Sequence, residues 1–186
     1  MARGSRFEPG EMMDDLRSSD RDRQNRAFQS LLHATQQPVE WAYEVWDELL
    51  RTLTDGDNRQ RAIAAQVLSS LAKSDPNERM LKDFGALLAV TKDERFVTAR
   101  HCLQSLWKVA VAGERQRNVV VKGLVRRFKE CAKEKNCTLI RYDILAVFRR
   151  VYDATGDALL RSTAEALIAI EKDLKYRKKY ATLWRT

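Results

Sequence analysis

Glycine and proline are scarce in this chain of 186 residues, at seven and three. So few breakers exclude collagen-like and low-complexity classes. They also leave little material for a phosphate-cradling loop, and no G-x-x-x-x-G-K-S/T, G-x-G-x-x-G, G-x-S-x-G or H-E-x-x-H string occurs. Histidine occurs twice, as His33 and His101, with no second ligand at metal-binding spacing. Three cysteines, an odd number without a C-x-x-C pair, exclude a disulfide framework. Cys102 and Cys131 fall among apolar residues at helical spacing and read as buried thiols; Cys137, near a helix start, has no base partner in the sequence, and all three are read as structural.

Long apolar runs are missing too. The longest stretches resemble Ala86-Leu87-Leu88-Ala89-Val90, far short of the roughly 20 residues of a membrane-spanning helix, so no span is expected. The opening Met-Ala-Arg-Gly-Ser-Arg-Phe has no apolar segment behind it, which predicts no secretory signal and a cytoplasmic home. With no catalytic or metal signature, the chain is expected to be non-enzymatic and to need no cofactor.

What the chain does contain is a globular balance, 44% apolar and 32% charged, and no linker at which to divide it. One domain over 1–186 is expected, with 1–10 flexible and 180–186 a flexible basic and aromatic tail. The net charge of +8 is a gradient: −4 over 1–60, +3 over 61–113 and +9 over 114–186. A basic C-terminal half suits nucleic acid, an anionic surface or an acidic protein.

Apolar residues recur at spacings of three and four almost throughout, which predicts an all-α fold. Asp20 can cap a helix running to about Gln36, and Val39, Ala42, Tyr43, Trp46, Leu49, Leu50 and Leu53 make one stripe of the next. Asp55-Gly56-Asp57 breaks the chain before Asn58–Lys73. Asp75-Pro76 with Glu78 forms a capping-box start for Glu78–Val90. Helices Glu94–Ala112, closed by Gly113, Glu114–Lys133, Thr138–Ala154 and Ala158–Lys179 follow, about eight in all with short polar breaks that make neighbours antiparallel.

A degenerate repeat runs through these helices. Asp followed four residues later by Arg occurs as Asp22 with Arg26, Asp57 with Arg61 and Asp157 with Arg161, each ahead of small and apolar residues at helical spacing. A shift of 35 residues sets Ala64, Leu68 and Leu71 against Ala99, Leu103 and Leu106, so Asp93 opens a further copy. The stretch around Ile140-Arg141 and Ile144 is a weaker one, with Asn136 in place of Asp. These residues resemble the second helices of HEAT and armadillo-type repeats over roughly 20–175. The resemblance implies a right-handed superhelix of stacked antiparallel helix pairs, a polar Asp and Arg ladder inside it, and second helices lining a binding face. The competing reading of the same pairs is ordinary helix-start electrostatics in an irregular bundle.

Partner-binding candidates follow from what lies off the apolar stripes. Trp41 leaves the stripe of its helix, and His101 is expected at the surface or in a groove. Lys108, Arg126, Arg127, Arg149 and Arg150, with Lys178 and Lys179 in an aromatic tail, form the basic set. The expected function is a HEAT-like scaffold holding a macromolecular partner, a protein first, with a homodimer through an exposed end as a further expectation. Basic residues interleaved with aromatics also suit phosphates and stacking. The alternative is therefore a nucleic-acid-binding solenoid similar to HEAT-like DNA glycosylases, with Trp107, His101, Lys108, Arg149 and Arg150 in the groove and Asp143 as candidate carboxylate.

Overall fold

Aspartate caps cut the chain into short amphipathic helices. The structure, a computed structural model, describes residues 8–185. Among them are α1 (Pro9–Arg17), α2 (Arg21–Ala34), α3 (Ala42–Asp55), α4 (Asn58–Leu71), α5 (Arg79–Val90), α6 (Phe96–Ser105), α7 (Trp107–Val111), α8 (Glu114–Glu130), α9 (Cys137–Thr155), α10 (Ala158–Ala169) and α11 (Leu174–Ala181), and no strand. The fold is all-α. No helix among the described residues is long and apolar enough to cross a membrane.

Helices alternate between two layers. In the first, α1 contacts α3, α3 contacts α5, α5 contacts α8 and α8 contacts α10; in the second, α2 contacts α4, α4 contacts α6, α6 and α7 contact α9, and α9 contacts α11. Each consecutive pair places one helix in each layer. A pair buries its inner faces against its own partner and its flanks against the pairs on either side, as stacking requires. Trp46, Leu49, Leu68, Leu71, Leu87, Leu103, Leu124 and Phe148 are fully enclosed, so the core is continuous from α3 to α9. Trp46 also donates its indole N–H to Asp83 at 2.9 Å, satisfying the polar atom of the largest buried ring.

The starts at Asp20, Asp57 and Asp157 behave as their sequence predicts. Asp57 accepts from the Gln60 backbone N–H while Gln60 returns a bond to the Asp57 N–H. This box caps α4, the helix at the centre of the second layer. Asp57→Ala is expected to lower stability by about 1 kcal/mol, read as a lower denaturation midpoint at unchanged slope.

Four expectations are corrected. Asp75 caps α5 from farther upstream than a capping box would: its carboxylate accepts from the Arg79 and Met80 N–H groups and from the Tyr43 hydroxyl, and Glu78 turns through a left-handed φ of 52° to reach that geometry. Gly113 opens α8 and does not close the helix before it; its backbone is fully extended, with Ala112 as the cap of α7. The last predicted helix is two, α10 and α11. Asp173 accepts from the Lys175 and Tyr176 N–H groups and starts a new turn there. Finally, 180–185 is no free tail: Tyr180 is fully buried and donates to the Thr138 carbonyl at 2.9 Å, and Trp184 packs against Tyr152. At the other end, Pro9 and Gly10 belong to α1, and residues 1–7 of the stretch expected to be flexible lie outside the described residues.

Arginine–carboxylate pairs tie one helix pair to the next. Arg61, in the first turns of α4, binds Asp93 with Nε at 2.6 Å, and Asp93 also accepts from the Arg95 N–H ahead of α6. Arg141 occupies the corresponding place in α9 and binds Glu171 at 2.7 Å, and Glu171 accepts from the Asp173 N–H ahead of α11. Between these, Asn136 stands where a carboxylate is needed, and Arg100 of α6 turns instead to Asp143 in the body of α9, at 2.7 and 3.0 Å. The pair Asp157 and Arg161 does not follow the pattern. It lies in the first layer, where Asp157 accepts from Arg117 and Arg161 pairs with Glu165 of its own helix.

Candidate functional site

The outward stripes of α4, α6 with α7, and α9 make one surface. Along α4 this face carries Arg59, Ala62, Gln66 and Ser70, of which Ala62 and Ser70 are buried, and Lys73 in the turn after it, at the three- and four-residue spacing of one helix face. In the next pair it continues as Val97, His101, Gln104 and Lys108, and in α9 as Tyr142, Ala146 and Arg150.

Two open recesses lie on this surface. The first, about 400 Å³, spans α2, α4 and α6; its apolar floor is Phe28, Ala62, Ile63 and Val97, and Arg21, Arg59 and His101 stand at its rim. Val97 is 65% exposed, one of four large apolar side chains among the described residues exposed by half or more, with Leu159, Ile170 and Leu174. The second recess, about 310 Å³, lies between α6 and α9 and is lined by Arg100, Gln104, Tyr142, Asp143, Ala146 and Arg150. Asp143 is the sole carboxylate among the residues lining the two. It is 2% exposed, and Arg100 and Gln104 both donate to it. This enclosed carboxylate accepts three hydrogen bonds, two from Arg100 and one from Gln104, and its charge is balanced by Arg100.

A row of cations follows the C-terminal edge of the second layer, one from each of three successive helix pairs: Lys73, Lys108 and Arg150. Lys108 donates from Nζ to the Ser70 hydroxyl at 2.7 Å, and Arg150 lies over the Trp107 ring at 5.8 Å. Partial burial holds the Lys108 ammonium below the ordinary lysine pKa, and the charges of Lys73 and Arg150 push it the same way. Lys73 reaches the Gln36 carbonyl. Lys73 and Lys108 have neutral hydrogen-bond acceptors and Arg150 has the Trp107 ring, an arrangement that an incoming anion stabilises. Farther along, Lys179 sits over the Tyr142 ring at 5.1 Å.

Of the residues expected to contact a partner, the structure brings His101, Lys108, Arg150 and Lys179 to this surface. The others are elsewhere. Arg127 is a correction: it is 1% exposed, held by the Glu134 carboxylate at 2.6 and 2.7 Å and by the Thr91 carbonyl, and it serves the junction between pairs. Arg149 is another, because its guanidinium lies 5.6 Å from both the Tyr152 and Trp184 rings and bonds Asp153, clamping the end of the chain. Arg126 is exposed on α8 in the first layer, paired with Glu130. Trp41 is half-buried against the core, and Lys178 is exposed on α11. Sequence reasoning missed Lys73, Arg59 and Tyr142, although the 35-residue shift that aligns Leu68 with Leu103 also aligns Lys73 with Lys108.

Fold and face together define an all-α protein of layered helix pairs with a cationic second-layer surface. Compared with protein-family models and with curated protein sequences, the chain matches none.

Proposed function

We propose that the protein is a HEAT-like scaffold without a catalytic centre, which holds an acidic segment of a protein partner against its second-layer surface. The observation that carries this reading is the pairing of an apolar recess with a cation row on one face, where the sole lining carboxylate is already neutralised. An apolar side chain of the partner enters the recess over Ile63 and Val97, and its carboxylates lie along Lys73, Lys108 and Arg150. Nucleic-acid backbones lack such a side chain, which is why protein comes first. The second reading, nucleic acid, is favoured by the cation row alone, since one cation per helix pair, with the Trp107 ring beneath Arg150, suits a phosphate strand.

Fluorescence anisotropy separates the two. A labelled peptide mixing Glu with Leu and Phe is expected to bind at about 50 mM salt and to retain binding at about 200 mM, because apolar burial is unscreened. Single-stranded RNA or duplex DNA binding with a steep loss over that range supports the second reading. Absence of binding to all three at low salt contradicts both.

A pH dependence follows as well. An anion on the cation row requires Lys108 charged, so affinity is expected to fall as pH rises through a value below the lysine reference of 10.5. Lys108→Arg is expected to remove that decline, measured as Kd against pH from about 7 to 10.

A further inference from the structure

Two of the three thiols meet at the turn between α8 and α9. Cys131 follows α8 and Cys137 is the first residue of α9. The Glu134 N–H donates to the Cys131 carbonyl at 2.8 Å, and the Cys137 N–H donates to the Glu134 carbonyl at 3.1 Å. These two successive turns fold the chain back on itself, and the two Sγ atoms stand 2.9 Å apart. A disulfide measures about 2.05 Å, so bond formation needs an approach of under about 1 Å. Both partners belong to one short turn, so that approach requires no movement of one helix pair against another.

The surroundings give the two sulfurs different roles. Cys131 is fully buried and its thiol points to the Phe128 carbonyl at 3.3 Å; Cys137 is half-buried and so the more accessible of the two. Burial pushes the Cys131 thiol up, and the guanidiniums of Arg141 and Arg127 oppose that shift. Cys102 is unlike either: it is enclosed between layers and bonded to the Leu87 carbonyl, with no second sulfur beside it.

We propose that Cys131 and Cys137 form a reversible intramolecular disulfide, made by exchange with a low-molecular-weight disulfide, with Cys137 attacking first and Cys131 resolving. In the first step the Cys137 thiolate attacks one sulfur of the small disulfide, whose S–S bond breaks and releases one small thiolate. In the second, the Cys131 thiolate attacks the Cys137 sulfur of the mixed disulfide, displacing the other small thiolate. The protein loses two protons and two electrons; the small disulfide becomes two thiols. The product staples residues 131–137 and so fixes Glu134, the partner of buried Arg127, at the entrance to α9, which carries Tyr142 and Arg150 of the cationic face.

The folded protein is incubated with oxidised glutathione, quenched with acid, denatured, alkylated with iodoacetamide and weighed intact. The expected product has lost about 2 Da, takes up one alkyl group where the reduced protein takes three, and retains no glutathione. Proteolytic mapping places the cross-link between Cys131 and Cys137, and dithiothreitol reverses it. Cys131→Ser is expected to trap one glutathione on Cys137, while Cys137→Ser reacts at least tenfold more slowly because the remaining thiol is enclosed. Three alkylatable thiols after prolonged exposure, glutathione retained on the wild-type protein, or a cross-link through Cys102 or between two chains overturns the proposal. The wild-type mass stands as a test even where a serine variant fails to fold.

Discussion

Replacing Arg141 with methionine is expected to lower the unfolding free energy by about 3–5 kcal/mol, a fall of roughly 10 °C or more in Tm for a domain of this size. The reason lies in what is left behind. Glu171 is 7% exposed, and its carboxylate is kept charged by Arg141 and by the Asp173 N–H. Methionine fills the volume and leaves the charge enclosed. The Arg141 stem also carries a guanidinium 4.7 Å above the Phe128 ring and a bond to the Phe128 carbonyl, both of which disappear. Adding Glu171→Leu is expected to restore most of the stability, because an apolar pair of similar volume replaces a buried ion pair at little net loss. Equal destabilisation in the single and the double variant contradicts this account.

The same pair sets an acid limb. Burial raises the Glu171 carboxyl, but the Asp173 N–H and Arg141 outweigh it and hold the group below its usual value of 4.5. For Asp93, burial is likewise outweighed by Arg61 and the Arg95 N–H, which hold it below 3.8. A carboxyl whose folded pKa is depressed binds fewer protons folded than unfolded. Its contribution is therefore complete above the unfolded pKa and is lost as pH falls through the folded one. Stability is expected to decline from about pH 4.5 downward, and Arg141→Met is expected to flatten that decline, in chemical denaturation measured between about pH 3 and 7.

The second large effect concerns binding. Lys108→Gln with Arg150→Gln is expected to weaken an acidic partner roughly 100-fold at about 50 mM salt, taking about 1.4 kcal/mol for each lost charge contact. Thermal stability is expected to hold or rise, because Lys108 is a half-buried cation pressed by Lys73 and Arg150. Loss of binding with a stability gain is the mark of a charge kept for function. Arg126→Gln, on the first layer, is expected to change affinity less than threefold.

Much of this architecture is legible in the sequence, and the failures have identifiable causes. Helix type and most starts follow from apolar spacing and aspartate caps, since both are local. The break at 170–173 escapes notice because Leu167, Ile168, Ile170 and Leu174 continue an apolar pattern through it; what ends α10 and opens α11 is the Asp173 cap. The cap of α5 is misplaced because Asp75 is drawn toward Tyr43, 32 residues away, a contact no local rule contains. The ladder is half legible: Arg61 and Arg141 stand out, but Glu171 does not fit an Asp signature.

For the site, Arg127 was readable as interior. Val120, Leu124, Arg127 and Phe128 share the buried stripe of α8, whereas Arg126 leaves it. Reading the run Arg126-Arg127 as one basic patch overlooks that adjacent helical residues diverge by about 100°. Lys73 was readable by applying the 35-residue shift to polar positions. The enclosure of Asp143 by Arg100 and Gln104 was not, because it depends on how one helix pair sits on the next.

The central claim is that the second-layer surface is the docking face, and lysine reactivity tests it directly. The protein is treated with an amine-acylating reagent with and without the Glu-, Leu- and Phe-containing peptide, and each lysine is quantified by mass spectrometry. Protection of Lys73 and Lys108, with Lys82, Lys122 and Lys129 of the first layer unchanged, is the predicted result. Protection of the first-layer lysines while Lys73 and Lys108 react freely contradicts it.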